Sequence, residues 1–444
     1  MIGWRWLLAA GVAAGIAGCG GSASNQGGGT GDTGTQVTFQ FTGAIPAAVA
    51  TKIGSGAFTT VTPAATVTFE VPIGTTDFSV AYVCPEVSLT VGLNTVESNS
   101  ERILDATIAD GTSYTELCAT STPSGTTGTL TANVGTNALG ATNIQLQASN
   151  GNATANVFLS GAAANVSMTA PAGNDWVGVL AYRYPIPSDT VTSPPTLVGA
   201  KFFENQAVPG ALNGGELVVL TAADATTPEP LTFSNVPAGY DTPFAQVSFI
   251  PAGQKTSVLM TTGATASYPA MPTAVAQSGD TYQVVALANS SAGSSSLSTG
   301  LGEQVVGVQQ TLTAPGPVSI SFPAPWGYAG PDSAALPSFD FSYAGFSGAS
   351  KVSRTGTITW STGSQVQASI GVTATAAYGG GAAFVSIPDL SELNGFIAKP
   401  SSGAMVTWVA AVESGASVAS SGSSGATGSA QVELVESMGT FVVP

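Results

Sequence analysis

The chain of 444 residues contains no histidine. That absence removes Ser-His-Asp and Cys-His nucleophiles, His-ligated zinc or haem, and any imidazole general base. Charge is scarce too: 9 Lys+Arg and 25 Asp+Glu make up 8% of the residues, where soluble domains carry about 25%. A net charge of -16 leaves no basic footprint for a phosphate backbone, so nucleic acid is excluded as a partner. Cysteine is limited to 3 residues, and helical periodicity is almost missing. The best helical pattern is Pro388-Asp389-Leu390-Ser391-Glu392-Leu393, stopped by Asn394-Gly395. What is plentiful is Gly (55), Pro (27) and a 43% hydrophobic fraction. That fraction is enough for packed cores, and Thr/Val-rich runs punctuated by Gly and Pro predict strands and turns throughout.

The N-terminus reads as an address. Arg5 is the lone cation before an apolar run, Leu7 to Ile16, too short for a spanning helix of about 20 residues. The run ends in Ile16-Ala17-Gly18-Cys19, which resembles the lipobox of bacterial lipoproteins. The resemblance implies cleavage before Cys19 and lipidation of that residue, whose several acyl chains would hold the protein to a bilayer. A signal peptide (1–18) is therefore expected, then the lipidated Cys19 and a Gly/Ser/Thr tether (19–36). Gly20 rather than aspartate after the cysteine resembles sorting to the outer membrane. Asp32-Thr33-Gly34 matches the aspartic-peptidase triplet, but it stands in the tether, and no second triplet exists to share a proton with it.

From Val37 the pattern alternates with period two. Val67, Phe69 and Val71 alternate with Thr68 and Glu70, and Pro72-Ile73-Gly74 leads to Phe78, Val80 and Tyr82. The same layout recurs: Val71-Pro72-Ile73-Gly74 precedes Ala81-Tyr82-Val83-Cys84-Pro85, and Ala170-Pro171-Ala172-Gly173 precedes Ala181-Tyr182-Arg183-Tyr184-Pro185. A third copy, Val236-Pro237-Ala238-Gly239, precedes Val247 to Pro251. Farther on, Tyr268-Pro269-Ala270-Met271 before Ser278-Gly279 parallels Ile387-Pro388-Asp389-Leu390 before Ser402-Gly403. Phe233-Ser234-Asn235-Val236-Pro237-Ala238-Gly239-Tyr240 is similar to a turn of prealbumin-like and carboxypeptidase-regulatory-like sandwiches of bacterial surface proteins. The C-terminal modules resemble the fibronectin type III or immunoglobulin-like class, and the whole resembles tandem-sandwich bacterial lipoproteins. The expected fold is all-β: tandem β-sandwich modules at 37–122, 123–228, 229–318 and 319–444, each near the size of one sandwich of about 100 residues.

Cys84 closes the strand predicted at Phe78–Cys84. Cys118 closes Thr112–Cys118, which follows the hairpin signal Asp110-Gly111 after Ile103–Ile108. In an exported protein two thiols left after lipidation predict a disulfide; two thiolates without histidine make an incomplete zinc shell. Neither a metal nor a cofactor is expected. Glu97, Glu101 and Asp105 are the densest acidic group, read as a solvated face or strand lead-in. No Ser-x-x-Lys, Gly-x-Ser-x-Gly or phosphate-loop pattern occurs. Trp326 and Tyr328, in the Pro/Gly-rich run Phe322–Pro331, are the candidate stacking residues for a sugar or peptide. The alternative is that they plug a junction between modules. Trp176, Trp360 and Trp408 are expected in cores, and Ser414–Ala430 as a long hairpin loop before a strand at Gln431–Val435.

The expected function is that of a non-enzymatic lipoprotein of the cell envelope, outer membrane or surface. Its role would be structural, adhesive or ligand-presenting, with an envelope protein or glycan as partner. The alternatives are a carbohydrate or peptide receptor, and a carboxylate-based glycosidase or peptidase.

Overall fold

The computed structural model describes residues 34–91, 94–118, 127–135, 139–149, 154–160, 164–183, 196–252, 257–272, 275–290, 303–346, 351–362, 366–375, 377–380, 383–415 and 431–444. Almost all ordered structure in these residues is strand. The alternation read from the sequence sets the faces: in β4 (Thr66–Val71) Val67 and Val71 are buried between exposed Thr66, Thr68 and Glu70.

Four sandwiches repeat one strand order, with positions lettered A to G along the chain. In the first, β1 (Thr35–Gly43), β2 (Ala48–Ile53), β3 (Thr59–Val61), β4, β5 (Asp77–Val91), β6 (Asn94–Thr107) and β7 (Ser113–Cys118) take A to G. They form a small D-A-G sheet, β4-β1-β7, facing a C-B-E-F sheet, β3-β2-β5-β6. Strand A runs antiparallel to D and parallel to G. The second sandwich has β8 (Thr127–Val134), β9 (Asn143–Ser149), β10 (Thr154–Ser160), β11 (Ala164–Pro171), β12 (Gly173–Arg183) and β13 (Thr196–Val208). Its G position is split between β14 (Gly210–Ala211) and β15 (Leu217–Val218), both parallel to β8. The third comprises β16 (Thr227–Ser234), β17 (Phe244–Ile250), β18 (Val258–Gly263), β19 (Ser267–Ala270), β20 (Thr281–Asn289), β21 (Glu303–Leu312) and β22 (Val318–Ser321). The fourth takes positions A to F with β23 (Ser338–Asp340), β24 (Lys351–Ser361), β25 (Val366–Thr375), β26 (Phe384–Ser386), β27 (Met405–Gly415) and β28 (Gln431–Val442).

The expected all-β multi-sandwich fold is therefore present, with one order in all four units. Grouping A and D with G, and B and E with C and F, differs from the immunoglobulin division into ABED and CFG. The Pro-x-Gly runs before β5 and β12 both sit at the D–E corner, as do Ser278-Gly279 and Ser402-Gly403, whereas Val236-Pro237-Ala238-Gly239 lies between A and B. Gly74, Gly173, Gly279 and Gly403 all have positive φ at that corner, a conformation open to glycine at no steric cost.

The units are not beads on a string. The C-B-E-F sheets of the third, fourth and first sandwiches join edge to edge into one 12-stranded sheet, β18-β17-β20-β21-β28-β27-β24-β25-β6-β5-β2-β3. Two F strands, β21 and β28, pair antiparallel from Glu303↔Met438 to Gln310↔Gln431. The first sandwich, distant in sequence, is attached through a parallel ladder between β25 and β6, from Val366↔Glu97 to Ala374↔Asp105. The second sandwich keeps its own four-stranded sheet and docks by its face. In β12 every residue from Trp176 to Tyr182 is buried. Val177, Val179 and Ala181 enter its own core. Trp176, Leu180 and Tyr182 enter the large core shared by the third and fourth sandwiches. Each such fully buried side chain stabilises by roughly 1.5–3 kcal/mol. Trp176, Trp360 and Trp408 all lie in this large core.

Several local expectations are corrected. Pro388–Leu393 is a turn and not a helix, because the Asp389 carboxylate takes the Ser391 amide (3.1 Å) and hydroxyl (2.5 Å), the local competition that disfavours helix for such residues. β5 continues past Cys84 through a bulge, β6 begins at Asn94 and not at Ile103, and β28 runs beyond Val435 to Val442. Ser414 and Gly415 belong to β27; 416–430 lie outside the described residues, as do Cys19 and nearly all of the tether.

Cys84 on β5 and Cys118 on β7 form a disulfide, Cα atoms 5.2 Å apart and 34 positions separated in sequence. It ties the two sheets of the first sandwich together in a buried core with Phe39, Phe78, Tyr82 and Tyr114. The chain-entropy relation assigns a loop of that length roughly 4 kcal/mol. A double Cys84→Ala, Cys118→Ala variant is expected to lose about that much stability on the same relation. Denaturant unfolding of the variant and the parent under oxidising conditions measures the difference, and equal midpoints would contradict it.

Candidate functional site at the seam between the first and fourth sandwiches

Strand β6 carries Glu101, Ile103 and Asp105 on one face, two residues apart. Across the parallel ladder they stand beside Ile370, Val372 and Ala374, which belong to the core of the fourth sandwich. The first sandwich's outer face thus runs straight into the fourth sandwich's inner face. The acidic group expected on a solvated face is consequently interior: Glu101 is 1% and Asp105 8% exposed. The Glu97 side chain lies outside the described residues. One signal was in the sequence: adjacent Ile103 and Leu104 put apolar side chains on both faces of the strand, the mark of a strand covered on both sides.

Two connections of the fourth sandwich close over this face. From the C–D connection, the Tyr378 hydroxyl bonds the Ser79 hydroxyl at 3.0 Å, and the Gly379 amide donates to Asp77 Oδ2 at 3.1 Å. Thr375, at the end of β25, donates from Oγ1 to Asp110 Oδ2 at 2.6 Å. Lys52 Nζ lies 5.4 Å from the centre of the Phe58 ring and 5.8 Å from that of Tyr378, within cation–π reach. From the D–E connection, the Ile397 amide donates to Glu101 Oε2 at 3.0 Å. Gly395 passes so close that a Cβ there would lie 3.0 Å from Ala48 Cβ.

Burial dominates the electrostatics. It pushes the Glu101 carboxyl up to about 7, against the pull of the Ile397 amide and with a further push from Asp389. Burial also raises Asp105, opposed by hydrogen bonds from Ser79 and Tyr378 and by the Lys52 charge. Two more carboxyls rise to about 7 by burial: Glu413 on β27, and Glu436 on β28, which Glu303 pushes further. Glu436 sits at the other joint of the large sheet, opposite Val305 of β21 and Ala411 of β27. Glu436 Oε1 and Glu413 Oε2 have no hydrogen-bond partner among the described residues.

Glu101 and Asp105 are not spaced as a hydrolytic pair. Glu101 and Asp105 are four residues apart on one strand, about 13 Å at ~3.3 Å per residue; glycosidase carboxylates stand about 5–9.5 Å apart. The seam instead holds two parts of the chain together. Among the described residues no group of three or more His, Cys, Asp or Glu is placed to hold a metal ion. A shallow cavity of ≈ 370 Å³ along β8 and β11, lined by Thr131, Asn133, Asn165, Ser167 and Gly215 among others, contains no ionisable side chain.

Trp326 is 6% exposed and lies in the large core. Tyr328 stacks on it at 4.5 Å, and Phe341 at 5.7 Å. Tyr328 in turn meets Trp408 edge-on at 5.6 Å, and the Trp408 indole lies over Gly439 of β28, where a Cβ would be 2.8 Å away. The irregular run through Trp326 thus covers the E and F strands of the fourth sandwich, as strand G does in the other three. The Trp326 ring is therefore interior, and the half-buried Tyr328 has one face taken up by it. No protein-family model matches the chain, and no curated protein matches it.

Two measurements test the site. A carboxyl raised from 4.5 to about 7 contributes stability that is complete below its unfolded value and lost as pH rises through its folded value. The protein is therefore expected to be more stable at pH 5 than at pH 8, by up to a few kcal/mol per buried carboxyl. Glu436→Gln should flatten part of that slope, as read from denaturant midpoints at the two pH values; an unchanged slope would refute the assignment. Trp326→Ala is expected to cost roughly 3–5 kcal/mol and to alter near-ultraviolet circular dichroism, whereas a surface-exposed tryptophan would lose almost nothing.

Proposed function

We propose that the protein is a lipid-anchored component of the bacterial cell envelope, held in a bilayer by acyl chains on Cys19, with a structural, adhesive or ligand-presenting role and no catalytic one. The observation that carries this reading is the 12-stranded sheet shared by three sandwiches. A ladder of backbone hydrogen bonds across each joint leaves no free hinge between those units, so the three behave as one stiff body. A stiff body on a short Gly/Ser/Thr tether suits a protein that stands off a membrane and presents a surface. The disulfide supports an oxidising compartment, since such bonds are rare in the cytosol. The outer membrane or cell surface is the favoured location, with an envelope protein or glycan as partner.

Cys19→Ser in the full chain tests the anchor. In cells of a double-membrane bacterium the parent is expected in the membrane fraction, extractable only with detergent and labelled by palmitate. The variant should be released or remain unprocessed, and unchanged membrane attachment would refute the proposal.

A further inference from the structure

The D–E connection of the fourth sandwich, Ile387–Ala404, crosses the first sandwich along the row Ala48–Val83–Glu101, whose members face one another on β2, β5 and β6. It touches both ends of that row, Gly395 at Ala48 and Ile397 at Glu101. The segment is tied to itself: Leu393 N donates to Leu390 O, Phe396 N to Leu393 O, and Lys399 bridges Asp389 at 2.7 Å. Ile387, Leu390 and Pro400 are buried, which roots its two ends in the fourth sandwich. No ladder links it to the first sandwich; the Ile397 amide on the Glu101 carboxyl is its one hydrogen bond to that sandwich among the described residues. The other oxygen of that carboxyl, Oε1, is buried with no partner among the described residues.

We propose that this segment is a pH-responsive strap, seated on the first sandwich while Glu101 is neutral and released when Glu101 ionises.

A neutral carboxyl keeps the Ile397 bond and leaves only one polar oxygen unsatisfied. An ionised one would place a full charge in an apolar row between Val83 and Ile370 with that oxygen still unpaired, a large cost that water entry relieves. The surrounding charges reinforce the direction. From the strap, Asp389 repels the ionised form; Lys399 is engaged with Asp389 at the surface, and Glu392 adds negative charge. From the first sandwich, Asp105 lies farther along β6 with Ser79, Tyr378 and Lys52 around it, so the Lys52 charge is directed to Asp105 and not to Glu101. Lifting the strap admits water to Glu101, so opening is coupled to loss of its proton. Because Glu101 titrates at about 7 with the strap seated, the seated state is favoured in acid and weakened as pH rises through neutrality.

Amide hydrogen exchange on the full chain between pH 5 and pH 8, corrected for intrinsic exchange chemistry, tests the strap. Protection of peptides spanning 393–400 is expected to fall at least about tenfold more than that of β27 as pH rises, since one pKa unit of coupling is a factor of ten. Glu101→Gln, whose amide oxygen still accepts from Ile397, should remove the excess fall. Asp389→Asn, at an exposed position, frees Lys399 to offset the Glu101 charge and should reduce the excess even if the glutamine variant folds poorly. A strap whose protection follows β27 across the range would overturn the proposal. So would an excess fall that persists in both variants.

Discussion

The shape of the molecule depends on one constraint: the backbone groups along the outer edge of each F strand need partners. In three sandwiches another sandwich supplies them. β21 and β28 satisfy each other, and β6 takes β25. The second sandwich meets the constraint differently. Its F strand, β13, has Val198 O bonded by the Thr226 amide and Leu197 O by the Thr226 hydroxyl, and the strand kinks at Asn205 with φ of 53°. Among the described residues that F strand pairs with no strand of another sandwich. The unit packs by face, with Tyr182 and Gln147 donating to the Leu259 and Ser257 carbonyls beside the edge strand β18. These contacts blunt one end of the large sheet, and the three-residue β3 blunts the other.

Edge pairing decides more than shape, because it decides which faces are interior. A lone sandwich exposes the outer face of its C-B-E-F sheet. Here the fourth sandwich's inner face is continuous with the first sandwich's outer face across the β25–β6 ladder. The core of one unit must therefore end on the surface of the next. The connections carrying Tyr378 and Ile397 supply the cover that its own small sheet, β23 and β26, is too short to extend there. The same shortage explains the Phe322–Pro331 aromatics: beside strands A to F among the described residues, Trp326 and Tyr328 close the core of the fourth sandwich over Trp408.

Within each sandwich much was legible from residues alone. Alternation such as Val67-Phe69-Val71 located strands, and glycines placed at Pro-x-Gly and Ser-Gly corners marked the D–E turns in all four units. Two cysteines, read from the sequence as strand ends, predicted the bridge. The likeness of all four units was only half visible, because the two pairs share corner residues within each pair and not across them. Nothing in the alternation of one strand reports which edge it offers or to whom, so the joints stayed hidden. Glu101 and Asp105 then looked like ordinary outward-facing acids, and the Trp326/Tyr328 pair stood open between a stacking platform and a plug at a junction. The misplaced acids have one source, the assumption that each unit meets water on every outward side.

The joints also explain where proton chemistry near neutrality ends up in a chain without histidine. Period-two alternation places polar residues on the outward face of every C-B-E-F sheet. Where sheets join, strands from two units bring their outward positions into the middle of a wider sheet, flanked on both sides. Glu101 at one joint and Glu436 at the other are such positions, and both rise to about 7 through burial. A carboxyl in this state changes charge over the range a histidine ordinarily covers. It does so with the opposite sign, neutral in acid and charged in base, so acid strengthens these joints where it would charge a buried imidazole. Edge-to-edge fusion of low-charge sandwiches thus leaves two of the three carboxyls raised to about 7 at the contacts between units, the places where gaining or losing one charge alters how the units hold together.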